Sequence, residues 1–174
     1  SNAFTSNDIT NYYMTIPAVN LETAFWLESD RLNLLGFNSK SLDVQRKVVI
    51  EEFKQRYLNQ PYGDIWLLLR PLCYTVHPYK WATIGKSITH IEDAQMKEVE
   101  SFFYKHYTTR NAVLSIAANL EIDQIKSLTQ KWFGGIDDRS PYNRALQAEP
   151  LQLKKRELWV ERNVPNDAIY ITFH

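Results

Sequence analysis

The chain has 174 residues with 20 basic and 20 acidic side chains, a formal net charge of zero. That balance, with no basic block, argues against an electrostatic surface for nucleic acid or membrane. A single cysteine, Cys73, excludes an internal disulfide framework and a multi-thiolate metal site, while 44% apolar residues suffice for a core in one large domain or a piece of a bigger one.

Ser1-Asn2-Ala3 reads equally as a cloning remnant or as the start of a strand, and both readings stay open. The chain lacks an initiator Met and stops inside the strand-like run at Ile171, so it is expected to be an excerpt of a longer polypeptide. Residues 2–10 are polar and carry Asn7-Asp8, which favours extended or turning backbone. Asn11 to Pro17 has the aromatic and β-branched content of a strand. Leu21 to Leu35 repeats apolar residues at helical spacing and ends at Gly36. Leu42 to Gln60 predicts a helix of about five turns, with Ser41 as N-cap and a stop before Pro61. Leu42, Val49, Phe53 and Tyr57 give that helix an apolar stripe. Tyr62 to Leu72 reads as helix until Pro71 breaks it, and His77 to Gly85 as a loop. Ser87 to Tyr107 predicts a second long helix with Ile91, Met96, Val99 and Phe102/Phe103 inward. Asn111 to Ala118 is apolar at almost every position, the pattern of a central strand. Leu120 to Phe133 is another amphipathic helix, closed by Gly134-Gly135. Arg139 to Pro150 is linker-like, and Leu153 to Val160 and Ala168 to Phe173 are the last strand-like runs. This order predicts an α+β domain with helices packed on one face of a mostly antiparallel sheet.

Two acids stand side by side in the Leu42–Gln60 helix. Glu51 has Lys47 and Lys54 at neutralising distance. Glu52 has Val48 and Val49 behind it and is expected to lean toward the apolar side. A buried carboxylate needs a partner: either Arg56 four residues on, or a metal ion whose other ligands lie outside this chain. The usual catalytic constellations are missing. The histidines at 77, 90, 106 and 174 never pair three or four apart on one helix, as a helical zinc site requires. His77 and His106 therefore read as structural, and these residues alone are not expected to build a catalytic centre.

Several stretches in fixed order carry a resemblance. They are Asn2-Ala-Phe-Thr-Ser6, the helical Arg46-Lys-Val-Val-Ile-Glu-Glu52, Asn59-Gln-Pro-Tyr-Gly63, His77-Pro-Tyr79 with Ile84-Gly85, and Asn111-Ala112 opening a strand. Together they resemble the M16 zinc metallopeptidases. The resemblance implies a LuxS-metallohydrolase-like half-domain and an HxxEH segment that should precede Ser1. It implies that two histidines and a distant glutamate hold zinc, and that the motif's own glutamate acts as general base. Glu52 matches that distant zinc ligand, which favours the metal over Arg56 as its partner. Gln45, seven residues earlier on the same face, replaces the glutamate usual there; an amide can hydrogen-bond a ligand but supplies no charge. Asn2, Ala3, Phe4 and Thr5 match an edge strand that pairs with substrate backbone.

On this resemblance, residues 1–140 are the C-terminal part of a catalytic domain, and 141–174 are a linker and the first strands of the next domain. The implied protein is a zinc-dependent endopeptidase cleaving peptides or small proteins inside a clamshell chamber. Zinc is its cofactor in the complete protein, not in this chain alone. Its expected partners are a peptide substrate and a second M16 half or homologous subunit, with self-association possible where a sheet edge is left uncovered and no nucleic acid or membrane. The alternative is a non-catalytic M16-like domain that scaffolds or binds peptide beside an active half.

Overall fold

A computed structural model describes residues 1–139 and 144–173. Its elements in chain order are β1 (Asn2–Thr5), β2 (Thr10–Tyr13), α1 (Leu21–Asn33), α2 (Ser39–Phe53), α3 (Ile65–Cys73), α4 (Ile88–Glu92), α5 (Met96–His106) and α6 (Ile122–Phe133). The chain is α+β, with a two-stranded hairpin of β1 and β2 and a larger helical part. No helix among the described residues is long and apolar enough to cross a membrane. The fold divides into two compact units, each drawing on separated stretches of sequence.

The first unit comprises Ser1–Phe4, Thr10–Ser39 and Gln95–Arg144. Here α1 packs on α6: the buried Phe25 ring meets Phe133 edge-on at 6.3 Å. Glu22, in the first turn of α1, accepts from Lys131 Nζ and from Trp132 Nε1 on α6. The centre of this unit is Phe103 on α5, which is 2% exposed. It stacks on Tyr107 at 4.8 Å and meets Phe37 edge-on at 5.5 Å. The Arg139 guanidinium lies over the Phe103 and Tyr104 rings and donates to the Asn33 carbonyl at 2.6 Å. A planar cation thus closes one side of an aromatic cluster.

The second unit comprises Thr5–Ile9, Lys40–Ala94 and Ala145–His174. Arg46 on α2 pairs with Asp43 at 2.7 Å and donates through Nε to the Ala94 carbonyl at 3.0 Å, beyond the end of α4. The segment after residue 144 runs along α3 and its flanking turns. Arg156 donates to the Leu72 carbonyl at 2.7 Å, and Arg162 pairs with Asp64 at 2.8 Å. The Tyr62 hydroxyl donates to the Asn166 carbonyl at 2.7 Å.

Glu149 fastens this segment. Its carboxylate accepts from the backbone N–H groups of Thr75, Val76 and His77 and from the Thr75 hydroxyl, all within 2.9 Å. Desolvation pushes the carboxyl up, but the His77, Thr75 and Val76 N–H groups and that hydroxyl outweigh it and hold it down to about 2. Because the folded value lies below the ordinary 4.5, this stabilisation is complete above pH 4.5 and is lost as the pH falls through about 2. Acid titrations of unfolding should therefore show a shallower slope in that window for Glu149→Gln; identical slopes would contradict the assignment.

Several elements differ from the sequence reading. Ser41 does not cap α2, which starts at Ser39 and encloses it. After Phe53 the coil widens into a π-helical turn over Lys54–Leu58, in which Asn59 N–H reaches back to the Lys54 carbonyl at 2.8 Å. Pro71 does not end α3, which continues to Cys73; a proline in the last turn forfeits one bond only, and Tyr74 N–H still reaches the Arg70 carbonyl. The single helix expected over 87–107 is two. Ser87 caps α4 with Oγ accepting from His90 N–H, and Gln95 with Glu98 forms a capping box that opens α5. The strands expected over 111–118, 153–160 and 168–173 form no ladder among the described residues: Asn111 ends a short 3-10 helix, the chain bends at Lys154, and Val113, Trp159 and Phe173 are left exposed. Extended chain becomes strand only beside a neighbour. Part of the linker-like Arg139–Pro150 stretch, the division expected at 140/141, and His174 lie outside the described residues. Contact places Ala145–His174 with Lys40–Ala94.

Candidate functional site

Glu52 sits in the last turn of α2, one residue before the buried Phe53. A step of about 100° per residue separates neighbouring side chains on a helix, so burial of Phe53 turns Glu52 outward. The expected inward lean is not observed. The Glu52 side chain is 49% exposed and its Oε1 lies 3.0 Å from Arg56 Nη2. Glu51 pairs with Lys54 at 3.7 Å, so neither acid is left unpaired. Gln45 is also exposed, two turns before Glu52.

Among the described residues, no group of three His, Cys, Asp or Glu side chains could hold a metal ion. The described residues therefore do not fit a complete zinc site, because zinc requires three or four protein ligands in tetrahedral array. One carboxylate remains compatible with a shared site. An exposed i,i+4 pair is worth only about 0.3–0.5 kcal/mol, so Arg56 does not withhold Glu52 from a stronger cation. The π turn starts just after this residue; such widenings of a helix cluster at functional positions.

Asn2, Ala3, Phe4 and Thr5 form β1, exposed at every position, with β2 as its one partner among the described residues. Asn2 Oδ1 accepts from the Ala3 N–H at 2.8 Å. The turn joining the strands is tight: Ser6 N–H donates to the Ile9 carbonyl at 2.8 Å, and Ser6 Oγ accepts from the Asp8 and Ile9 N–H groups at 3.3 Å. The free side of a lone edge strand offers main-chain donors and acceptors to an extended peptide.

The described histidines all have local roles. His77 Nδ1 accepts from Tyr79 N–H at 3.2 Å, and its ring packs edge-on against Tyr79 at 4.3 Å. His90 Nδ1 accepts from Lys86 N–H at 3.3 Å. His106 lies against Phe102 at 4.3 Å, and desolvation, then Lys105, keeps its pKa below the ordinary value. Sequence reasoning named Asp8 in a turn and Tyr79 in the His77–Tyr79 stretch but did not connect them with each other or with Arg70; the three interlock in the second unit. The dense Pro-aromatic run at 77–81 was the available signal.

A family profile described as "Peptidase M16 inactive domain" matches residues 93–174. The zinc protease PqqE of Helicobacter pylori is 29% identical over 133 residues, covering 76% of this chain and 30% of that protein. The zinc protease YmxG of Bacillus subtilis, itself described as uncharacterized, is 27% identical over 136 residues, covering 78% and 32%. The beta subunit of the mitochondrial-processing peptidase of Caenorhabditis elegans is 24% identical over 134 residues, covering 76% and 29%. A crystal structure of a protease from Helicobacter pylori superposes with a TM-score of 0.80 at 27% identity, over 86% of this chain and 36% of that one. The chain thus spans about a third of the length of the curated relatives it matches.

Proposed function

The chain belongs to the M16 peptidase family, and on that premise we propose that its parent protein is a zinc-dependent endopeptidase acting on peptides or small proteins. What supports this most is that relatives named zinc proteases match three quarters of the chain. In this reading residues 1–140 complete a catalytic domain, and 141–174 lead into the next. Glu52 supplies one zinc ligand beside others absent from the described residues, Gln45 steadies that ligand's face, and Asn2 to Thr5 pair with substrate backbone. A second M16 half or homologous subunit encloses the peptide. Zinc titration of the parent protein tests the assignment: tight binding that Glu52→Gln abolishes supports it, and a parent with no zinc affinity defeats it.

The second reading is a non-catalytic M16 domain that binds peptide or scaffolds an active half. It is favoured by the inactive-domain description of the matching profile, by Gln45, and by the Glu52–Arg56 pair. The chain by itself is expected to show no peptidase activity and little zinc affinity, since one carboxylate cannot replace a three-ligand set. Chelator-sensitive cleavage by the purified 174-residue chain would contradict that expectation.

A further inference from the structure

We infer that Tyr79 and Arg70 are positioning residues that fix the turn from which the substrate-pairing strand emerges. The inference rests on the edge-strand reading above. The clamp lies within the second unit. The Tyr79 hydroxyl donates to both carboxylate oxygens of Asp8, at 2.7 and 2.8 Å. Arg70 Nη1 on α3 faces Asn7 Oδ1 at 3.2 Å and the carbonyls of Tyr79 and Trp81 at 3.3 and 3.4 Å. Two successive residues of the β1–β2 turn are therefore held by side chains some 60–70 positions away in sequence.

The holding wall is itself stiff. Pro78 fixes its own φ and starts a helical turn capped by the His77 ring. Tyr79 is flanked edge-on by His77 at 4.3 Å and by Tyr74 at 5.6 Å. Arg70 Nε is buried without a hydrogen-bond partner among the described residues, so the contacts of this guanidinium with Asn7, Tyr79 and Trp81 are all made through Nη1. The turn, by contrast, is exposed from Ser6 to Ile9. A lone two-stranded hairpin is marginal in water. Its register is set by whatever anchors its tip, and here that anchor is polar and directional. Main-chain recognition of a peptide depends on that register, because a shift of one residue swaps the faces of every side chain.

The test uses the full-length parent with Tyr79→Phe, Asp8→Asn and the double variant. It reads amide hydrogen exchange over residues 5–12 together with KM and kcat on a fluorogenic peptide. Tyr79→Phe should speed exchange in that segment and raise KM roughly tenfold, the size expected from losing a hydrogen bond to a charged group, with kcat and zinc content unchanged. Adding Asp8→Asn to it should change little more, since the two act through each other. Unchanged exchange overturns the clamp while leaving the edge-strand reading intact. Faster exchange with unchanged KM shows that the clamp exists but that the strand does not pair with substrate, which overturns the inference through failure of the edge-strand reading. A matching fall in kcat and zinc content would mark a merely structural role and also overturn it.

Discussion

Replacing Phe103 with alanine should lower the unfolding free energy of the first unit by about 3–5 kcal/mol, the range for truncating a buried aromatic ring. The ring is 2% exposed and touches aromatic neighbours on several sides, so collapse around the void is restricted. The loss extends beyond apolar burial. Arg139, which lies over this ring, also holds the Asn33 and Tyr107 carbonyls, so the loop after α6 is tied to the end of α1 across the same face. Phe103→Leu keeps most of the volume and should cost well under half as much. Chemical denaturation followed by circular dichroism checks both. A Phe103→Ala loss below about 1 kcal/mol would mean that the cluster is not the centre of its unit.

In the parent protein, Glu52→Gln should weaken zinc binding by more than the roughly 100-fold that loss of an outer-shell partner costs, and peptide cleavage should fall with it. An amide keeps the side chain's size and one oxygen but removes its negative charge. The comparison with Arg56→Ala is decisive, because it separates the two partners proposed for this carboxylate. If Glu52 serves the metal, removing Arg56 takes away a competing cation and leaves zinc affinity equal or higher. If the pair is the whole role of Glu52, both substitutions change stability by a few tenths of a kcal/mol and neither changes zinc content. Dialysis against zinc followed by elemental analysis reads the difference directly.

The elements legible in the sequence were those whose signals are local. The end of α6 follows from apolar spacing and Gly134 behind it, whereas α1 stops at Asn33 with Leu34 as its extended cap, short of the Gly36 stop that the sequence suggested. The break between α4 and α5 was written in Gln95 and Glu98, but a continuous apolar pattern masked it until the reciprocal cap was visible. The runs at 111–118, 153–160 and 168–173 have strand composition, yet a strand is a property of a pair, and composition says nothing about the partner. Glu52 teaches a similar lesson. Counting valines behind it suggested an inward carboxylate, whereas the deciding contact is its neighbour Phe53, which takes the buried direction and sends the acid outward. The clamp of Arg70, Tyr79 and Asp8 joins positions too distant for any periodicity to connect.

The widened turn over Lys54–Leu58 gives this helix an unequal tolerance to changes in length. A wide turn already accommodates one residue more than a regular coil, so a deletion there can be absorbed by tightening it. The same deletion between Leu42 and Phe53 has no slack to draw on. It would swing every later side chain by about 100° around the axis, giving Phe53 the bearing of Glu52 and Glu52 that of Glu51. Chains that gain or lose a residue in this helix should therefore do so after Phe53, where the acid pair keeps its heading.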